Sequence, residues 1–330
     1  MNEKVKRLII ESQRIKATDI HFTISDIKQT CDMRGIKGFK SFKDDSIKEI
    51  FQYLKYCANL DLGNFSSPQS GTFELKIDQT TYYFRFSCIS TYMNQTGVLR
   101  ILNNHPVLNI ESLSYKRNQN IVFKKWCHLR GGLILFSGPT GSGKSTTLHV
   151  LLEEIAKKNQ LKIITLEDPI EIISQNYLQL QINEKMNFTY EEGIKQLLRH
   201  DPDIIMIGEI RDSKCAEMVY RAALSGHLVF STIHAKSALE TIKRLEDLGW
   251  SKQNMKETLT AVVNQRLYPD NKRKGRICIY EILHGKELQE YLETKQLRNH
   301  KTIYDEINEA IKKNIIKQSD AKIDLYDQEK

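Results

Sequence analysis

The chain has 330 residues, of which 40% are hydrophobic and 27% charged, with a net charge of +8. That balance is ordinary for a folded soluble protein, the length suits about two domains, and a core this size needs no disulfide or metal to hold it. The N-terminus has no apolar run long enough for a secretory signal, the central run Leu133 to Phe136 is far too short to span a membrane, and none of the six cysteines forms a C-x-x-C pair of the kind that binds zinc.

In chain order, residues 3–16 place Val5, Leu8, Ile9, Ser12 and Ile15 near one face of a predicted helix. Segments 72–77, 81–88 and 97–102 are rich in aromatic and β-branched residues and separated by turn residues, the signature of strands. Residues 1–104 therefore read as a small α+β domain. Residues 105–120 are polar, carry Pro106 and show little periodicity, which predicts a linker. From residue 121 to 330 the texture alternates. Strands are predicted at Leu133–Phe136, Leu161–Leu166, Ile204–Ile207 and Leu228–Ile233, with helices at Thr146–Lys158, from Thr189 to about His200, at Ser213–Leu224 and from Ser237 to Gly249. Thr189-x-x-Glu192 and Ser237-x-x-Glu240 are capping boxes, and Gly249 is placed to end its helix. Apolar strands alternating with helices imply a mainly parallel sheet covered on both faces. After Ser251 the pattern reads as helical, with one strand at Ile277–Tyr280. The basic run Lys272-Arg273-Lys274 with Arg276 is either a solvated loop, the commoner case, or a surface for an anionic partner.

The sharpest chemical signal is Gly138-Pro139-Thr140-Gly141-Ser142-Gly143-Lys144-Ser145, followed by Thr146. It fits G-x-x-x-x-G-K-[ST] between a predicted strand and a predicted helix, the context that a phosphate-binding loop requires. The glycines let backbone N–H groups wrap phosphates, the helix N-terminus adds its positive dipole end, Lys144 reaches the β- and γ-phosphates, and the Ser145 hydroxyl suits Mg²⁺. ATP and Mg²⁺ are the cofactors this implies. The next three strands end in Glu167-Asp168, Gly208-Glu209 and Thr232-Ile233-His234. Ligands of an open parallel sheet bind outside the carboxyl ends of its strands, so Glu167, Glu209 and His234 should share a rim with the loop. Each alone could be a helix cap.

These segments resemble the four signature boxes of the type II secretion and type IV pilus assembly ATPases. GPTGSGKST is similar to their Walker A box, Ile164 to Glu171 to their Asp box, Leu198 to Asp212 to their Walker B box and Ser225 to Ala235 to their His box. Ala17-Thr18-Asp19-Ile20-His21 resembles an N-terminal family segment, and Gln265-Arg266-Leu267 and Ile279-Tyr280-Glu281 resemble two C-terminal ones. The resemblance implies a RecA-like P-loop domain behind a smaller PAS-like α+β domain. It implies Glu167 as water activator, Glu209 as support for Mg²⁺ and water (roles that could be exchanged), His227 and His234 as the His-box pair with His234 sensing the γ-phosphate, and Arg85 and Arg100 as arginines supplied to the nucleotide. The alternative for each arginine is an outward-facing strand residue.

Two departures from the family pattern stand out. The stretch between Leu267 and Ile279 is a short basic loop where relatives carry a four-cysteine zinc insert, so no zinc site is expected. Pro68-Gln69-Ser70-Gly71 has serine where the family segment has aspartate. The short length, the missing zinc insert and the Ile279-Tyr280-Glu281 segment resemble the competence pseudopilus ATPases of Gram-positive bacteria, with retraction ATPases, which usually lack that segment, second. The resemblance implies a cytoplasmic homo-hexamer, peripheral at the membrane's cytoplasmic face. It would act on a polytopic inner-membrane platform protein and, through it, on pilin-like subunits. Two other classes are a RecA-like nucleic-acid motor, which the charge would suit but which lacks aromatic-basic interleaving, and a small-molecule kinase, which would need an arginine-rich lid. No direct nucleic-acid partner is expected.

Overall fold

The computed structural model describes residues 2–35, 38–63, 67–78, 80–91, 93–102, 108–158, 161–273 and 275–326. The chain divides into two units, Met1–Pro106 and Val107–Lys330.

The first unit contains α1 (Asn2–Arg14), β1 (Asp19–Ile24), β2 (Gln29–Gly35), β3 (Gly38–Ser41), α2 (Ile47–Cys57), β4 (Gln69–Ile77), β5 (Thr80–Ser90) and β6 (Gln95–Leu102). Its sheet has the order β3-β2-β1-β6-β5-β4, antiparallel throughout. Alternation decides which side is core. Ile20, Phe22, Leu99, Ile101, Phe84 and Phe86 turn inward against Val5, Leu8 and Ile9 of α1 and Ile50, Phe51 and Leu54 of α2. Phe22, Phe51 and Phe86 meet edge to face at 5.4–6.0 Å, the favoured aromatic geometry. A Cβ on Gly97 would lie 2.7 Å from the Phe51 ring, so this strand position needs glycine. The three expected strands lie within β4, β5 and β6. β1 to β3 and α2 had no counterpart in the sequence reading.

The second unit contains α3 (Ile110–Leu113), α4 (Arg117–Trp126), β7 (Gly132–Ser137), α5 (Lys144–Lys158), β8 (Ile163–Glu167), β9 (Leu178–Gln181), α6 (Tyr190–Leu198), β10 (Ile204–Ile207), α7 (Ser213–Leu224), β11 (Leu228–Ile233), α8 (Ala238–Asp247), α9 (Lys252–Thr258), β12 (Leu259–Pro269), β13 (Arg276–His284), α10 (Gly285–Thr294), α11 (Ile303–Lys312) and α12 (Gln318–Tyr326). The sheet order is β13-β12-β7-β11-β10-β8-β9, parallel except for the β12–β13 hairpin. One core lies on each face, as a doubly covered parallel sheet requires. The Thr189 and Ser237 side chains cap α6 and α8 by accepting from the Glu192 and Glu240 N–H groups. Gly249 ends the α8 turn at φ 95°.

Two sequence expectations are corrected. Of the expected linker 105–120, residues 105–107 lie outside the described residues, and most of the rest is helical. Ile110, Leu113, Phe123 and Trp126 are buried against β7 and α5. The stretch looked like a linker because Gln119 and Asn120 are polar yet buried. Gln119 Nε2 donates to the Tyr280 carbonyl at 3.0 Å, and Asn120 Nδ2 to the Glu111 and Ser114 carbonyls at 2.9 Å. The region after Ser251, expected to be helical with one strand at Ile277–Tyr280, has four helices among the described residues and β13 over that strand, but it also supplies an unexpected eleven-residue strand, β12, beside β7. β12 is buried along most of its length, so it shows no alternation, and it begins directly after α9 with no turn residue between.

The cysteines are free, four buried and two half-buried, and burial pushes the Cys215 and Cys278 thiols up to about 11. Lys272 and Arg273 are exposed in the β12–β13 hairpin, and Lys274 lies outside the described residues.

Glu281 on β13 is fully buried. Its Oε2 accepts from the N–H of Ala238, the first residue of α8, at 2.9 Å, and its Oε1 lies 3.0 Å from His300 Nε2. Burial opposes charge on His300, but Glu281 and Glu287 outweigh it and raise the pKa above its ordinary 6.5. A raised folded-state value means that this stabilisation is complete below the unfolded pKa and is lost as pH rises through the folded one. Thermal stability should therefore carry a component that declines from about pH 6.5 upward. In His300→Gln, melting temperatures measured across that range should lack this component. A variant whose pH trace parallels that of the unsubstituted protein would refute the linkage.

Candidate nucleotide site

β7 ends at Ser137 and α5 begins at Lys144, so residues 138–143 form a loop at the carboxyl edge of the sheet. Gly138, Gly141 and Gly143 have φ of 140°, 80° and 88°, a region open chiefly to glycine. A Cβ on Gly138 would meet the Gln265 carbonyl at 2.5 Å, so glycine is also required for space. Pro139, Thr140 and Gly141 are exposed at the tip, while Ser145 and Thr146 are half-buried on the first turn of α5. The first N–H groups of any helix have no intrahelical acceptor, and here they border the loop.

Lys144 is folded back over this cradle. Its Nζ donates to the Gly138 carbonyl at 2.9 Å and the Pro139 carbonyl at 3.1 Å. Burial lowers its pKa, with Glu209 and Glu171 pulling the other way. The loop is fastened from β12, where Gln265 Nε2 donates to the Ser142 carbonyl at 2.6 Å. On β13, Tyr280 OH meets Thr147 Oγ1 at 3.0 Å. Ser142 Oγ and Gln265 Oε1 are buried and have no hydrogen-bond partner among the described residues. Unpaired buried polar atoms are uncommon, and these two flank the loop that a phosphate would enter. The arrangement fits a nucleotide polyphosphate. Mg²⁺ takes few protein ligands and shares phosphate oxygens, a role open to the Ser145 hydroxyl and the Glu209 carboxylate.

Strand register then gathers the rim. Ile233 pairs with Ser137. Thr232 Oγ1 donates to the Gly208 carbonyl at 2.7 Å, and the N–H of Ile210 donates to the Thr232 carbonyl at 2.8 Å. These bonds place Glu209 beside His234, with Oε1 3.1 Å from Nε2. Arg211 joins the next strand end. Its Nη1 donates to Asp168 Oδ2 at 2.9 Å, its Nε lies 3.4 Å from Glu209 Oε2, and its guanidinium rests over the Tyr190 ring. Sequence reasoning passed over Asp168 and Arg211 as site residues. The strand-end pattern held both, but only the fold shows that Arg211 bridges two strands.

Glu167 sits apart from this rim group. Its side chain is only 6% exposed, against 27% for Glu209. Its Oε1 accepts from Thr165 Oγ1 at 2.7 Å and Gln179 Nε2 at 3.0 Å, and its Oε2 lies 3.4 Å from His149 Nε2. His149, on α5, also meets the Tyr177 hydroxyl. It was invisible to sequence reasoning because a histidine amid an apolar helix face carries no motif.

His227 corrects an expectation. It precedes β11, whereas His234 follows it, so the six-residue strand lies between the two and separates them by about 23 Å at roughly 3.3 Å per residue. Its Nδ1 lies 2.9 Å from Ser225 Oγ and 3.1 Å from the Ala222 carbonyl, and its own carbonyl accepts from Gly132 N–H. Within this unit His227 therefore belongs to the opposite edge of the sheet from the loop. Arg85 and Arg100 belong to the N-terminal unit, where each is tethered through Nε, to Ser70 and to Asp19 respectively.

A glycine loop between the first strand of a parallel sheet and its helix, with carboxylates and a histidine at the following strand ends, defines a P-loop nucleotide-hydrolysing enzyme. The chain belongs to the type II/IV secretion system protein family, whose model matches residues 1–326. It is 32% identical to competence protein ComGA of Bacillus subtilis (strain 168), over 95% of this chain and 94% of that one. It is 34% identical to competence protein ComGA of Halalkalibacterium halodurans, over 88% and 90%. Its fold matches that of the pilus retraction motor PilT, solved with bound ADP, at a TM-score of 0.76 and 26% identity, over 97% and 96% of the two chains. The protein is an ATPase of this family.

Lys144→Ala should lower ATP turnover by at least about a hundredfold, the scale for losing one transition-state charge contact. Steady-state hydrolysis checks it, and near-normal turnover would contradict the assignment. Gln265→Ala leaves a buried loop carbonyl without its amide donor, at a cost of about 1–3 kcal/mol. Equilibrium binding of an ATP analogue should weaken at least about tenfold if that strain falls on the loop. Unchanged binding would show that the loop keeps its shape without this bond.

Proposed function

We propose that this chain is the motor of a competence pseudopilus, or of a closely related type IV pilus-like or type II secretion filament. Near full-length similarity to competence protein ComGA, joined to a complete strand-end rim around the loop, carries this reading. The motor works as a homo-hexamer at the cytoplasmic face of the membrane. It drives a polytopic platform protein that inserts pilin-like subunits, in support of DNA uptake or secretion. Similarity to PilT over nearly the whole chain supports retraction as the second reading.

In the site, Lys144 would exchange its carbonyl partners for the β- and γ-phosphates, and Ser145 would hold Mg²⁺, which would supply positive charge beside the transferring phosphoryl group. Of the two glutamates, Glu209 is assigned the attacking water. It is the more exposed and it stands beside His234, and its charge acts on Lys144, which supports this assignment. Glu167, the more buried of the two, is assigned to hold the β8 end and α5 together through His149. That exchanges the roles that family resemblance alone implied. His234 registers the γ-phosphate through its contact with Glu209, and Arg85 and Arg100 of the N-terminal unit meet the nucleotide's phosphates in the assembled ring.

Glu209→Gln should bind ATP yet hydrolyse it at least about a hundredfold more slowly, because an amide cannot accept a proton from water. Glu167→Gln should chiefly lower the melting temperature. If Glu167→Gln traps ATP while Glu209→Gln turns over normally, the roles revert. For the function itself, the cytoplasmic domain of the platform protein should stimulate hydrolysis and single-stranded DNA should not. The reverse result would favour a nucleic-acid motor.

A further inference from the structure

The face of the N-terminal sheet opposite its core carries an ordered row of charge. In antiparallel pairing, residues directly opposite share a face. Asp19 pairs with Arg34 on β2 and with Arg100 on β6, Arg100 pairs with Arg85 on β5, and Arg85 pairs with Thr72 on β4. The row therefore reads Arg34, Asp19, Arg100, Arg85, Thr72, with three cations to one anion. Like charges directly opposite one another destabilise a sheet, and Arg85 and Arg100 are such a pair. Both are held in the same manner. Arg100 Nε donates to Asp19 Oδ1 at 2.8 Å, and Arg85 Nε donates to Ser70 Oγ at 3.2 Å. Each tether takes the inner nitrogen and leaves the terminal fork of the guanidinium without a partner among the described residues. The fork is the part that matches phosphate oxygens two at a time.

The two tethers differ in strength. Asp19 is 12% exposed where the Arg100 side chain is 56% exposed, so the anchor is buried and the fork is presented. Thr18 Oγ1 donates to the other carboxylate oxygen at 2.8 Å, fixing the anchor's rotamer. Burial alone would raise the Asp19 pKa, but the bonds from Arg100 and Thr18 lower it, and the anchor stays ionised. Ser70 offers a neutral hydroxyl that it also shares with Ser87 at 2.9 Å.

We infer that Asp19 is a positioning residue that orients Arg100, and Ser70 a weaker one that orients Arg85, so that the pair is set in advance to grip the polyphosphate of ATP. The inference rests on the reading that these arginines meet the nucleotide. Preorganised donors lose less entropy on engaging the developing charge, so the loss of a tether appears in turnover more than in ground-state affinity.

The test is a mutant cycle on the full chain, reading kcat, KM for ATP and melting temperature. Arg100→Ala tests the parent reading, and unchanged kcat in that variant would overturn that reading whatever Asp19 does. With Arg100→Ala impaired, Asp19→Ala should lower kcat about tenfold while KM moves less than about threefold. The double variant should fall no further than Arg100→Ala, because two residues acting as a unit are not additive. Ser70→Ala should cost about threefold or less. Asp19→Asn keeps the shape and one oxygen acceptor but loses the charge, and it serves if the alanine variant folds poorly. Normal kcat in both Asp19 variants, or additive losses in the double variant, would overturn the positioning role.

Discussion

The parallel pairing of β7 with β11 on one side and β12 on the other is the constraint on which the site depends. It aligns Ser137 with Ile233 and with Asn264. The residues just beyond these points are the glycine loop, His234 and Gln265, which are thereby delivered to one edge. A buried group of hydrogen bonds secures the alignment. Thr241 Oγ1 and Asn264 Nδ2 both donate to Ser137 Oγ, at 2.7 and 2.9 Å, and Asn264 also donates to the Ala235 carbonyl at 3.0 Å. Arg266 extends the group to the Lys236 carbonyl and to Asp324. Satisfied networks of this kind in a low-dielectric interior specify one arrangement. The segment after the last strand end is thus tied to the loop's own strand and to the C-terminal helix.

The same frame explains why two glutamates at neighbouring strand ends differ in character. β8 lies one strand further from β7 than β10 does. Glu167 there falls under α5 and among Thr165, Gln179 and His149, while Glu209 emerges beside His234 and Arg211. Two carboxylates at neighbouring strand ends, one buried and one partly exposed, is a common way to divide structural and chemical work. Lys144 completes the picture. A buried ammonium resting on two carbonyls of its own loop is a donor held in reserve, and a phosphate offers it stronger acceptors than neutral carbonyls do.

Much of this was legible in the sequence, for reasons that differ by element. β7, β8, β10 and β11 are short, apolar and bounded by clear breakers, and the glycine loop is readable because its chemistry needs that spacing. Glu209 and His234 followed from strand order alone. Two of the failures share one cause, which is burial that hides periodicity. β12 is buried on both faces and shows no alternation, and α4 buries Gln119 and Asn120, which read as linker residues until their hydrogen-bond partners are known. His149 acts through contacts far away in sequence, so no local pattern marked it, and Gln265 was marked only as part of the Gln265-Arg266-Leu267 segment, without its contact to the loop. His227 was placed with His234 because they share a sequence box, and the length of β11 separates them.

The most direct test of the account is a structure of the full chain with Mg²⁺ and a non-hydrolysable ATP analogue. The account predicts that Lys144 Nζ leaves the Gly138 and Pro139 carbonyls for phosphate oxygens at about 2.8 Å, with Ser145 on the metal and Glu209 facing the γ-phosphate. An analogue bound elsewhere, or a Lys144 still resting on its own loop beneath bound phosphates, would contradict it.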